Sequence, residues 1–155
     1  MKWVTREKAK VDRIACPWLL TRFVDPAAEF LFVAKDAVLE AATRENAIPF
    51  DAPDVELGHH MVDGEERVSF DAIIRKYKLT DHALLDLAEI VRTADAKSVA
   101  RVRPEGAGLA AAAAGFRLIA KDDHDNMRLQ FPLYDALYNY CRARVGQGGK
   151  TENRP

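Results

Sequence analysis

The stretch DRIACPWLLTRFVDPAAEFLFVA, running from Asp12 to Ala34, decides the fold. Asp12 is placed to cap a helix on which Ile14, Trp18, Leu19, Phe23 and Val24 recur at helical spacing, with Pro17 tolerated only in the first turn. Asp25-Pro26 ends that helix, because the residue before a proline is driven out of the helical region. Glu29 to Ala34 is then a continuous apolar run, short enough for a buried strand. With Lys2 to Thr5 as a short strand ahead of it, the opening of the chain reads as a strand-helix-strand unit.

Working outward, Asp36 to Asn46 reads as an amphipathic helix with an aspartate cap, and Ile48-Pro49-Phe50 as a strand that Pro49 confines to a sheet edge. Val55 to Val62 is expected to be another strand, with Asp63-Gly64 turning the chain into Arg67 to Phe70. From there the periodicity is helical. Ser69 can cap a helix bearing Phe70, Ile73, Ile74 and Tyr77, and Thr80 the next, bearing Leu84, Leu87, Ala88 and Val91. Pro104 suits the first position of a helix over Glu105 to Ala120, whose glycines and alanines imply close packing. The last helix carries Tyr134, Leu137, Tyr138, Cys141 and Val145, with Pro132 near its start. The expectation is a helix-rich α+β fold: a single domain over residues 1–145, its small sheet mainly in the N-terminal half, and a flexible polar tail over 146–155.

Composition narrows the function. The chain has 155 residues, 48% of them hydrophobic and 30% charged, with 23 basic against 24 acidic side chains and a net charge of −1. A domain bound mainly to DNA phosphates carries a clear basic excess, so direct DNA binding is disfavoured. Two cysteines make no disulfide framework, the first ten residues lack the apolar stretch of a signal peptide, and no run approaches the roughly 20 apolar residues of a membrane span. A cytoplasmic protein is expected.

Three of the four histidines lie in two polar clusters, His59-His60 and Asp122-Asp123-His124-Asp125. Carboxylate and imidazole are ligands for zinc, manganese and iron, and also acid-base groups near neutral pH. On a strand, His59 would share a face with Val55, Leu57 and Met61, either as a hydrogen-bonded core residue or as a pocket wall, and His60 would point the other way. Capping explains one or two of the carboxylates at residues 122–125, but a histidinium there would be opposed by the helix dipole. Cys16, near a helix start beside Arg13, has a nucleophile reading and a competing one as a small buried hydrophobe. Asp12-Arg13 and Arg22 could bind an oxyanion or form ordinary salt bridges.

The run Val11-Asp12-Arg13-Ile14-Ala15-Cys16-Pro17-Trp18-Leu19, followed by Arg22-Phe23 and Asp25-Pro26, resembles the opening motif of the ChrB family of chromate-resistance proteins. Phe30-Leu31-Phe32-Val33, Ile48-Pro49-Phe50-Asp51, His59, Ser69-Phe70-Asp71, Asp122-Asp123-His124 and Tyr134-Asp135-Ala136-Leu137-Tyr138 extend the resemblance, in order, over nearly the whole chain. It is to the C-terminal half of two-domain members, whose N-terminal half carries the DNA-binding region. The resemblance implies a domain that senses or handles chromate. The expected site is a divalent metal (Zn, Fe or Mn) held by His59, Asp123 and His124, with Asp122 as a further ligand. Asp12 or Asp51 would orient a ligand imidazole, and Arg13 and Arg22 would meet an oxyanion or small-molecule ligand. A protein partner such as a regulator or a sulfurtransferase is also implied. The alternatives are a small metal-dependent hydrolase or redox enzyme, with Cys16, Asp51 and Glu56 as catalytic candidates, and a partner-binding domain without a metal.

Overall fold

Trp3, Val4 and Thr5 are fully buried, as the middle of a parallel sheet requires. They belong to β1 (Lys2–Arg6), which lies between β2 (Glu29–Val33) and β3 (Ile48–Pro49) in the order β2-β1-β3, both pairings parallel. The chain is described here by a computed structural model that covers residues 1–152, the side chains of residues 1–146 among them. Of the tail expected at 146–155, residues 146–152 continue the last helix as far as Glu152, and residues 153–155 lie outside the residues so described.

Side-chain alternation along β1 divides the interior into two layers. Trp3 faces the main core, built from α1 (Asp12–Phe23), α3 (Ser69–Lys76), α4 (His82–Asp95), α5 (Pro104–Ile119) and α6 (Asp123–Glu152). Val4 faces a smaller cluster with Val38, Ala41 and Ala47, under α2 (Val38–Glu45). The architecture is α+β: a β1-α1-β2-α2-β3 unit in the N-terminal half, then a helical layer. A hairpin of β4 (His60–Val62) and β5 (Glu65–Arg67) separates them, turning at Asp63 and Gly64, both at positive φ. Among the described residues no helix is long and apolar enough to cross a membrane.

Several local expectations are revised. Val55–Val62 is not a continuous strand: Asp51 and Asp54 take positive φ, Leu57 makes an isolated bridge to Phe50, and only His60–Val62 pairs. His59 therefore sits in a loop. The second hairpin strand is Glu65–Arg67, because helix α3 already begins at Ser69. Thr80 does not cap α4; Asp81 does, accepting from the amides of Ala83 and Leu84 at 2.8 and 3.3 Å. Asp36 lies in a 3-10 turn (Lys35–Ala37) ahead of α2, which ends at Asn46 in the left-handed conformation. Pro17 and Pro132 both stand inside helices. Each removes one backbone hydrogen bond without ending its helix, since Trp18 and Leu19 beside the first and Tyr134 after the second are packed in the core.

Asp12 does not cap its own helix, whose N-cap position is Val11. Its carboxylate instead accepts from the amides of Ser69 and Phe70, at 2.8 and 3.2 Å, in the first turn of α3. The buried start of α3 is thus satisfied by a side chain distant in sequence.

The close packing expected of α5 is concentrated at Gly106. A Cβ there would lie 2.5 Å from Thr93 Cγ2 and 3.2 Å from the amide of Ala94, whereas Gly108 and Gly115 face open space. Gly106→Ala is expected to push α5 off α4 and cost about 1–3 kcal/mol in urea unfolding, as overpacking does. Gly108→Ala should be neutral or stabilising. Equal effects at the two positions would contradict the packing.

Candidate functional site

The loops that leave the carboxyl ends of β1 and β3 meet the start of α1, and ligands of open parallel sheets bind outside such strand ends. Arg6 is the last residue of β1, Asp51 follows Phe50 after β3, and Asp12 and Arg13 open α1. The loop before β4 carries His59 onto them, and α4 ends there with Asp95.

His59 is the centre of this cluster. Its Nε2 lies 3.1 Å from Asp95 Oδ2, 3.4 Å from Asp51 Oδ1 and 3.6 Å from Asp12 Oδ2, while Nδ1 lies 3.0 Å from Glu66 Oε1. Asp12 and Asp51 are buried; His59, at 35% side-chain exposure, opens to solvent. Ser69 Oγ donates to Asp51 Oδ1 at 2.9 Å, and Arg13 Nε stands 3.4 Å from Asp51 Oδ2. A cleft of about 270 Å³, lined by Arg6, the loop from Asp51 to Val55, and His59, opens beside the cluster.

The electrostatics are those of carboxylates crowded around one imidazole. Burial, and then the charge of Asp51, push the Asp12 carboxyl up to about 7. Burial acts on Asp51 in the same sense, but hydrogen bonds from His59 and Ser69 and the charge of Arg13 hold it below the usual carboxylate range. Asp12, then Asp51 and Asp95, keep the imidazole protonated well above its ordinary range. The carbonyl end of α4 adds partial negative charge at Asp95. Asp12, His59 and Asp95 offer ligand atoms all within 4.8 Å of one another.

The other residues singled out in the sequence lie elsewhere. Asp123 accepts from the amides of Lys8 and Ala9 at 2.9 and 2.7 Å, and Asp122 caps α6 by accepting from the amide of Asp125 at 2.7 Å. His124 Nε2 lies 2.8 Å from the carbonyl of Phe30, its ring edge-on to Phe32. Thus His59 is not brought together with Asp122, Asp123 and His124. Among the described residues, Asp12, His59 and Asp95 form the one group of three or more such side chains close enough to share an ion.

Arg22 makes a bidentate pair with Asp135 at 3.0 Å and is not beside Arg13. Glu56 pairs with Lys76 at the surface. Cys16 is fully buried and lies 3.3 Å from Asp12 Oδ1. Burial and the neighbouring carboxylates raise its thiol, opposite to the activation expected from Arg13.

Sequence reasoning missed Asp95 and Glu66 as members of the cluster. Asp95 carried one usable signal: an acidic residue in the last turn of a helix opposes the macrodipole and needs a compensating cation. Glu66, within a hairpin strand, carried none.

The sequence matches the family described as "ChrB, C-terminal domain" over residues 3–141. This chain belongs to that family. It is similar to "Protein ChrB" from Cupriavidus metallidurans (strain CH34), at 29% identity over 140 residues, which is 90% of this chain but 40% of the relative. The chain thus spans about 40% of the length of the curated relative it matches. No solved structure matches it. The aligned region of this ChrB-family domain includes every member of the acidic cluster, from Asp12 to Asp95.

The burial of Cys16 makes a chemical prediction. Native protein near pH 8 should react with a thiol reagent such as iodoacetamide only after denaturation, when both cysteines label. Rapid native labelling of Cys16 would restore the nucleophile reading.

Proposed function

We propose that the domain binds a divalent cation through Asp12, His59 and Asp95, and that this site serves a sensor or accessory role in chromate resistance. One observation carries the reading: three ligand atoms within 4.8 Å of one another, on elements far apart in sequence. One nitrogen and several oxygens suit zinc, manganese or iron. Glu66 at Nδ1 would fix the imidazole with Nε2 toward the ion, as carboxylates behind metal-bound histidines do. Asp51, hydrogen-bonded to Ser69 and close to Arg13, is placed to balance the ion's charge or to join its ligands.

Membership of the ChrB family supports the connection with chromate resistance. A cation shared by α1, the loop before β4 and the end of α4 would tie these segments together, so occupancy would change their order and the surface they present. That suits a sensor or accessory domain. Three protein ligands also leave coordination positions open toward the adjacent cleft, which favours the metalloenzyme alternative to the same extent that it favours exchange of the ion. A reading without metal has its own observation: a protonated His59 among four carboxylates could itself supply the cation.

Titration calorimetry of chelator-stripped protein with Zn²⁺ and Mn²⁺, beside thermal unfolding, separates these readings. The expected result is about one ion per chain for either metal, with a rise in Tm from preferential binding to the folded state. Asp95→Ala should abolish it, Glu66→Ala should weaken it by about 10–100-fold, and an Asp123→Ala/His124→Ala variant should retain it. Loss in the last variant with retention in Asp95→Ala would move the site to residues 122–124. No binding to any folded form would leave the histidinium cluster.

A further inference from the structure

Next to the acidic cluster lies its electrostatic opposite. A groove of about 300 Å³ is lined by Arg6, Glu7, Lys8, Arg13, Lys35 and Arg117. They come from the end of β1 and the loop after it, the first turn of α1, the residue pair following β2 and the last turn of α5. Five cationic side chains therefore converge on one concavity against a single carboxylate, in a chain whose net charge is −1.

The inner wall is held in place. Arg13 donates to the carbonyls of Arg6 and Glu7 at 3.4 and 3.1 Å, and Arg6 Nε donates to the carbonyl of Asp51 at 3.1 Å. Each guanidinium also faces the Asp51 carboxylate, so the two arginines form the wall between groove and acidic cluster. At the rim, the side chains of Lys8, Lys35 and Arg117 take part in no ion pair among the described residues. The neighbouring Asp123 carboxylate is turned to the amides of Lys8 and Ala9 instead.

We infer that this groove binds a compact polyanion of the diphosphate class. The charge exceeds what one tetrahedral dianion would need. No aromatic or aliphatic side chain lines the groove to hold a base or an acyl chain, and recognition would rest on charge and the arginine forks. The volume is at the small end of ligand pockets. An extended nucleic-acid backbone is disfavoured, because leaving the groove on the Arg6 side it would meet Asp51 and Asp54. The inference does not depend on the metal reading, since the groove shares only its arginine wall with that site.

The test is calorimetric titration of metal-stripped protein with pyrophosphate at about 0.15 M salt, where weak surface pairing is already screened. Inorganic sulfate serves as the single-dianion control. Saturable pyrophosphate binding is expected. It should weaken by about tenfold or more in a Lys8→Gln/Lys35→Gln/Arg117→Gln variant whose circular dichroism is unchanged, these side chains being exposed. No saturable binding, equal affinity for sulfate, or unchanged affinity in the variant would each overturn the inference. Binding seen only when Zn²⁺ or Mn²⁺ is added back would place the anion on the cation and overturn it as well.

Discussion

A single buried carboxylate, that of Asp12, joins the fold of this domain to its chemistry. Its oxygens accept the amides of Ser69 and Phe70 at the start of α3. Left without an acceptor, buried amides of that kind cost about 1–3 kcal/mol. The same oxygens lie against the thiol of Cys16 and within 3.6 Å of His59. Asp12 therefore cannot relax toward solvent when its charge becomes costly. His59 offsets part of that cost, but burial and the neighbouring Asp51 carboxylate outweigh it and leave the Asp12 carboxyl raised to about 7. Arg13 and Arg6 face Asp51 instead. Everything in the cluster follows from a carboxylate that packing has placed where water does not reach.

The parallel sheet explains why the cluster and the basic groove are neighbours. Successive strands of a parallel sheet end on the same side, so the loops after β1, β2 and β3 emerge together. The loops after β1 and β3 bring Arg6, Asp12 and Asp51 to one side of this edge, and the residues after β2 bring Lys35 to the other. The helical layer supplies Asp95 to the acidic side and Arg117 to the basic side. Two arginines, each facing the Asp51 carboxylate, stand between these regions of opposite sign.

Much of this was legible in the chain itself. The β1-α1-β2 unit follows from apolar spacing and from Asp25-Pro26, and the start of α5 from Pro104. The ChrB-type motifs pointed to Asp12, Arg13, Asp51 and His59, which the fold does bring together. Asp122, Asp123 and His124, grouped with His59 from their ligand chemistry and the family motifs, lie apart from it in the fold. At a helix start, such residues are absorbed by backbone amides and, for His124, a strand carbonyl. Asp12 reads as a cap for its own helix, and only the tertiary fold shows that it caps α3. Asp95 and Glu66 join the cluster through packing of α4 and the hairpin, which no local pattern encodes.

The most direct test of the cation site is anomalous X-ray scattering from crystals of the protein equilibrated with Mn²⁺ or Zn²⁺, recorded on both sides of the metal's absorption edge. The account predicts one strong anomalous peak within coordination distance of Asp12, His59 and Asp95. A well-ordered crystal with no peak there, or with its peak at Asp122, Asp123 and His124, would contradict it.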